Sequence, residues 1–133
     1  MDSQFTIVIA DDHPLFRGAL YQAVHMAIDE ARLLEADSID SLTHLLAEHP
    51  EVDLLLLDLK MPGANGFEGL AYLRGQYPDL PIVVVSASED AAIIQQVLRL
   101  GALGFIPKSV PMKELVNALN TVIGGDNWVP AGI

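Results

Sequence analysis

Five short apolar segments alternate with five segments of helical periodicity along this chain, and this alternation restricts the fold more than any other feature. The apolar segments lie at 5–10, 32–36, 52–57, 82–85 and 103–106. They are nearly all hydrophobic rather than alternating, which is typical of strands covered on both faces. The helical patterns lie at 14–28, 39–49, 67–77, 89–100 and 111–123. Strict strand-helix alternation predicts an α/β fold with a five-stranded parallel sheet.

Local signals place several helix ends. Pro14 suits the first turn of the first helix. Ser38 and Ser88 are predicted to be the N-caps of the second and fourth helices, and Gly101 is predicted to end the fourth. The segment 61–66 contains one proline and two glycines, which favours a loop.

Composition narrows the class of protein. The 133 residues suit one domain, and a content of 51% hydrophobic and 19% charged residues is typical of a globular chain. No cysteine is present, so disulfides and thiolate chemistry are excluded. No stretch has the length of a membrane span and no signal peptide is recognisable, so we expect a cytoplasmic location. The net charge of −11 opposes direct contact with nucleic acid.

Polar residues occur where the predicted strands end. Asp11 and Asp12 follow the first strand, Asp58 the third and Ser86 the fourth, and Lys108 comes just after the fifth. Ligands of doubly wound sheets bind outside the carboxyl ends of the strands, where the strand order reverses. With the flavodoxin-like order 2-1-3-4-5, the first and third strands are neighbours at that point. In that case all three carboxylates meet in one crevice.

Three carboxylates at close range repel one another, so either a cation neutralises them or at least one of them holds a proton. Mg²⁺ prefers a few carboxylates, water and phosphoryl oxygens. A carboxylate can also act as a nucleophile and form an aspartyl phosphate. The transferred phosphoryl group then needs positive charge and hydrogen-bond donors, which Lys108 and Ser86 offer.

Four sequence blocks resemble the receiver domains of two-component response regulators, most of all those of the LuxR/NarL type. The blocks are DDHPLFRGAL, LLLLDLKMPGANGFEGL, VVVSAS and GALGFIPKS, and the resemblance covers about 5–123. It implies a flavodoxin-like (βα)5 fold with strand order 2-1-3-4-5. It also implies a phosphorylation switch rather than an enzyme, with at most self-catalysed phosphotransfer and auto-dephosphorylation.

The resemblance implies a role for each residue of the crevice. Asp58 is the phosphoacceptor for a sensor histidine kinase. Asp12 is a direct Mg²⁺ ligand, Asp11 acts mostly through water, and the backbone carbonyl of Lys60 completes the protein ligands together with Asp58.

The same resemblance assigns a switch. Lys108 pairs with the phosphoryl group, Ser86 donates a hydrogen bond to it, and Phe105 occupies the aromatic switch position. Two departures stand out. Ser109 follows the lysine where many receivers have a cis proline, so the isomer of that peptide bond is open, and Phe105 lacks the hydroxyl of a tyrosine.

Simpler interpretations exist for each residue. Asp58 could start a turn, and Asp11 and Asp12 could cap the first helix. Ser86 could begin a turn, Lys108 could be an ordinary surface lysine, and Phe105 could belong to the core. His13 is expected to be a surface residue rather than a ligand, because Mg²⁺ prefers oxygen.

Two rival functions remain at this point. One is a Mg²⁺-dependent phosphatase with an aspartate nucleophile, although its usual second aspartate is replaced by Lys60. The other is a degenerate receiver that only dimerises.

The expected organisation is a receiver domain at 1–125 and the start of a linker at 126–133. The resemblance implies a helix-turn-helix effector after the linker, although a stand-alone receiver is possible. It also implies homodimerisation on phosphorylation and regulation of transcription, with DNA bound by the effector.

Overall fold

One parallel sheet with strand order β2-β1-β3-β4-β5 forms the centre of the protein. The computed structural model describes residues 5–133. The strands are β1 (Phe5–Ala10), β2 (Ala31–Ala36), β3 (Leu54–Asp58), β4 (Ile82–Ser86) and β5 (Gly104–Pro107). The helices are α1 (Pro14–Ala27), α2 (Ile39–Glu48), α3 (Phe67–Gln76), α4 (Ala91–Arg99) and α5 (Met112–Ile123). The predicted flavodoxin-like (βα)5 fold and its strand order are confirmed.

The two faces of the sheet carry separate hydrophobic cores, because successive strand residues point to opposite sides. Val8 and Leu57 belong to the core that α2, α3 and α4 cover. Ile9 and Leu56 belong to the core that α1 and α5 cover. Burial on both faces explains why β1 and β3 lack polar alternation.

Strand β3 begins at Leu54, two residues later than predicted, and includes Asp58. Asp53 lies outside it, and its carboxylate accepts a hydrogen bond from the backbone N–H of Thr6 at 2.8 Å. Asp58 pairs with Val85 of β4 in the sheet register. The sheet backbone therefore fixes the position of Asp58 directly.

Ser38 is the N-cap of α2, as predicted, and accepts a hydrogen bond from the backbone N–H of Ser41. The prediction for Ser88 is wrong, because α4 begins at Ala91 with Asp90 as its N-cap. Asp90 accepts the capping bond from Ala92 at 2.9 Å, while the Ser88 hydroxyl accepts one from Asp90 at 3.2 Å. Helix α4 thus begins two residues later than predicted.

The segment after α5 returns to the edge of the sheet. Trp128 forms an isolated parallel bridge with Gly104, and its carbonyl accepts a hydrogen bond from the backbone N–H of Phe105 at 3.0 Å. A Cβ atom on Gly104 would lie 2.7 Å from that carbonyl oxygen, so only glycine permits this approach.

Within residues 5–133, no helix has both the length and the apolar character required to cross a bilayer.

The central position of β3 leads to a stability prediction. Leu56 is fully buried, and Leu56→Ala is expected to lower the free energy of unfolding by about 3 kcal/mol through lost burial and a residual cavity. Leu15 is 93% exposed, so Leu15→Ala is the control and is expected to change it by less than about 0.5 kcal/mol. Urea denaturation measures both, and equal effects of the two changes would contradict the assigned core.

Candidate functional site

The carboxyl ends of β1 and β3 bring four side chains into one cluster, which consists of Asp11, Asp12, His13 and Asp58. Each offers one ligand atom, and these atoms lie within 4.8 Å of one another. Asp11 and Asp58 are buried, whereas Asp12 is partly exposed. The predicted convergence of the three carboxylates follows from the adjacency of β1 and β3.

Lys108 places its ammonium group against three of these four side chains. Nζ lies 2.9 Å from Asp11 Oδ2, 3.1 Å from Asp58 Oδ2 and 3.0 Å from His13 Nδ1. Lys108 also lies over the ring of Phe16, with Nζ 4.9 Å from the centroid. The ammonium group therefore occupies the position that suits a cation.

The two oxygens of Asp58 have different partners. Oδ1 accepts a hydrogen bond from the backbone N–H of Lys60 at 3.0 Å, while Oδ2 accepts one from Lys108 at 3.1 Å. Asp58 is only 1% exposed, so its carboxylate is held in this orientation by these two contacts. The role of the Lys60 carbonyl as a ligand stays a prediction.

Ser86 and Lys108 are linked through the backbone. The N–H of Lys108 donates to the carbonyl of Ser86 at 2.7 Å, which ties the residue after β5 to the last residue of β4. The Ser86 hydroxyl accepts a hydrogen bond from the N–H of Ser88 at 3.1 Å. Phe105 is fully buried and packs in the core under α4. All described peptide bonds are trans, including those on either side of Lys108.

The contact of His13 with the acidic cluster was not predicted from the sequence. His13 is exposed, as expected of a residue before α1, but its Nδ1 lies 3.3 Å from Asp11 Oδ1 and 3.3 Å from Asp12 Oδ1. Only its position beside two aspartates hinted at this contact. Asp11 Oδ1 also accepts a hydrogen bond from the His13 backbone N–H at 2.7 Å, whereas no side chain caps α1.

The residues of the crevice fit a hard divalent cation. Asp11 Oδ2 and Asp12 Oδ1 are buried atoms that accept no hydrogen bond of good geometry, although Asp11 Oδ2 contacts the ammonium group of Lys108. Buried carboxylate oxygens of this kind are stabilised by a cation. Carboxylate oxygen is also the preferred ligand type of Mg²⁺.

Comparison with known proteins agrees with this geometry. The family model described as "Response regulator receiver domain" matches residues 7–120, so the chain belongs to the receiver domains of response regulators. Its relatives place it in the LuxR/NarL type. It is 39% identical to the glycerol metabolism activator of Pseudomonas putida, over 97% of this chain and 58% of that protein. It is 37% identical to the nitrate/nitrite response regulator NarL of Escherichia coli K12, over 91% of this chain and 56% of that protein.

Solved structures show the same fold. The signal receiver domain of a putative response regulator NarL from Mycobacterium tuberculosis matches with a TM-score of 0.79 and 31% identity, over 93% of this chain and 99% of that chain. The isolated receiver domain of RcsB from Salmonella enterica serovar Typhimurium, solved with the phosphomimetic BeF3⁻, matches with a TM-score of 0.86 and 25% identity, over 97% and 95%. The chain thus has the role of a receiver in phosphorylation-dependent signalling.

The contact of the Lys108 ammonium group with the carboxylates leads to a prediction about metal affinity. Lys108→Met removes a positive charge from beside the carboxylates that would hold a divalent ion, so Mg²⁺ affinity is expected to rise by about tenfold. Lys113→Met is the control, because Lys113 is an exposed residue of α5. Isothermal titration calorimetry measures both variants, and an unchanged or weaker affinity of Lys108→Met would show that the ammonium group does not compete with the ion.

Proposed function

We propose that this chain is a phosphorylation switch in which Asp58 accepts a phosphoryl group from the phosphohistidine of a sensor histidine kinase. An oxygen of Asp58 forms the new P–O bond as the P–N bond breaks, and the electron pair stays on the histidine nitrogen. The observation that carries the proposal is the setting of Asp58: a buried carboxylate with Oδ2 facing Lys108, next to two further carboxylates.

Mg²⁺ is the proposed cofactor, held by Asp11, Asp12, Asp58 and the backbone carbonyl of Lys60. When bound, it neutralises the carboxylates and the phosphoryl oxygens. The protein supplies orientation: the Lys60 N–H holds Oδ1 and leaves Oδ2 beside Lys108. Lys108 then stabilises the charge of the transferred group.

Ser86 and Phe105 are the proposed switch. The Ser86 hydroxyl accepts from Ser88 and so keeps its own proton free to donate to a phosphoryl oxygen. Its movement toward that oxygen changes the space beside β5, where Phe105 fills the core. Phosphorylation thereby biases an equilibrium between two arrangements of β4, β5 and α4.

We propose that residues 1–125 form the receiver domain and that 126–133 begin a linker, through which the signal would pass to an effector. The chain spans between half and two thirds of the length of the curated relatives described above. We propose that a helix-turn-helix effector follows in the parent protein and binds DNA, while this domain forms a homodimer on phosphorylation in the cytoplasm. One related RcsB structure is bound to a promoter, and another contains two RcsB dimers bound to two DNAs.

The rival functions have less support. A phosphatase of the aspartate-nucleophile type needs a second acid near residue 60, where this chain has the exposed Lys60. A degenerate receiver that only dimerises would not need three carboxylates, Ser86 and Lys108 at one edge of the sheet.

Incubation with acetyl phosphate and Mg²⁺, followed by intact mass measurement, tests the proposal. The expected result is the mass gain of one phosphoryl group, which is absent when a chelator is present throughout the incubation and absent in Asp58→Asn. Asp79→Asn, an exposed aspartate in the α3–β4 loop, is the matched control and should gain the same mass. A gain that survives in Asp58→Asn, or no gain in the unaltered chain, would refute Asp58 as the acceptor.

The contact between β5 and Trp128 gives a further prediction. Gly104→Ala is expected to push the Trp128 carbonyl away from Phe105, because the new methyl group would lie 2.7 Å from that oxygen. The fluorescence of Trp128, the single tryptophan, should then shift to longer wavelength as the ring becomes hydrated. Gly75→Ala, with open space around its Cβ position, is the control. Identical spectra of both variants and the unaltered chain would show that this contact does not hold the segment.

A further inference from the structure

His13 combines an exposed ring with a nitrogen that faces the acidic crevice. The side chain is 61% exposed, yet Nδ1 lies 3.3 Å from an oxygen of Asp11, 3.3 Å from one of Asp12 and 3.5 Å from one of Asp58. The neighbouring proline contributes to this placement. A residue before proline avoids the helical region, and His13 is extended, with φ −98° and ψ 104°.

Hydrogen bonding alone explains this arrangement poorly. One proton on Nδ1 can serve only one of the three carboxylates. Lys108 Nζ also lies 3.0 Å from Nδ1, and an ammonium group only donates, so that contact needs the lone pair of Nδ1. A divalent cation among these atoms would satisfy all the carboxylates and the lone pair together, whereas the ammonium group contacts Asp11, Asp58 and the His13 nitrogen.

We infer that His13 Nδ1 is a direct ligand when a first-row transition ion such as Mn²⁺ or Co²⁺ occupies this site. The inference rests on the metal site proposed above and adds one nitrogen to its oxygen ligands. Imidazole nitrogen is a poor ligand for Mg²⁺ but suits first-row transition ions. The site therefore takes Mn²⁺ and Co²⁺ more tightly than an all-oxygen receiver site of equal charge.

The direct test is pulsed electron paramagnetic resonance of the unphosphorylated chain loaded with Mn²⁺. A ¹⁴N coupling from a coordinated imidazole is expected in the unaltered chain and absent in His13→Gln. His44→Gln is the matched control, because His44 is exposed on α2 and its Nδ1 lies 2.8 Å from the Asp40 carbonyl oxygen. The coupling should persist in that variant. Mn²⁺ bound without nitrogen coupling, or a coupling that survives in His13→Gln, would overturn the inference.

Calorimetry gives a second readout and separates this inference from the proposed function. His13→Gln is expected to weaken Co²⁺ binding by about tenfold and Mg²⁺ binding by less than about twofold. Equal losses for both ions would mean that His13 acts through charge or folding rather than as a ligand. If neither ion binds the unaltered chain, the metal site itself fails. If both bind but the variant loses nothing, only the role of His13 fails.

Discussion

The concentration of negative charge where β1 and β3 end is the constraint on which the rest of the structure depends. Asp11 and Asp58 are almost completely buried beside Asp12, an arrangement that costs free energy in isolation. The sheet imposes it, because β1 and β3 are neighbours and their apolar residues are fixed by cores on both faces. Hydrophobic burial thus holds together carboxylates that would otherwise separate, and the ammonium group of Lys108 compensates part of their charge.

The same sheet connects this charge cluster to the segment around Trp128, which lies against the edge strand β5. The backbone bond between Lys108 and Ser86 joins the ends of β5 and β4. Three residues before Lys108, on β5, lies Phe105, the proposed switch residue, whose backbone N–H donates to the carbonyl of Trp128. A change in the partners of Lys108 can therefore reach the segment around Trp128 through backbone contacts, without a long chain of side chains.

The sequence was informative where burial decides the structure. Uniform apolar runs predicted the five strands, and their ends predicted the convergence of Asp58 with the acidic pair, because parallel strands place their carboxyl ends at one edge. Ser88 was wrongly predicted as the N-cap of α4 because Ser and Asp are both good N-caps. Which of the two caps the helix depends on the length of the loop between β4 and α4, and the structure has Asp90. The direction of the His13 ring and the pairing of Trp128 depend on side-chain rotamers and tertiary contacts, which no periodicity encodes. The only local indication of the Trp128 pairing was Gly104, because a residue without a Cβ atom allows another backbone to approach closely.

Charge balance gives an order to the proposed events. Three carboxylates and one ammonium group leave the crevice formally two charges negative, which opposes the approach of a phosphoryl group. A divalent ion brings that balance to zero. Phosphorylation then replaces the charge of Asp58 by roughly two negative charges on the phosphoryl group. In the proposed sequence of events the site would be neutral before transfer and about one charge negative after it, which would draw Lys108 and the Ser86 hydroxyl toward the phosphoryl oxygens. Metal binding before phosphoryl transfer follows from this electrostatic argument, because the ion removes the repulsion that the incoming group would meet.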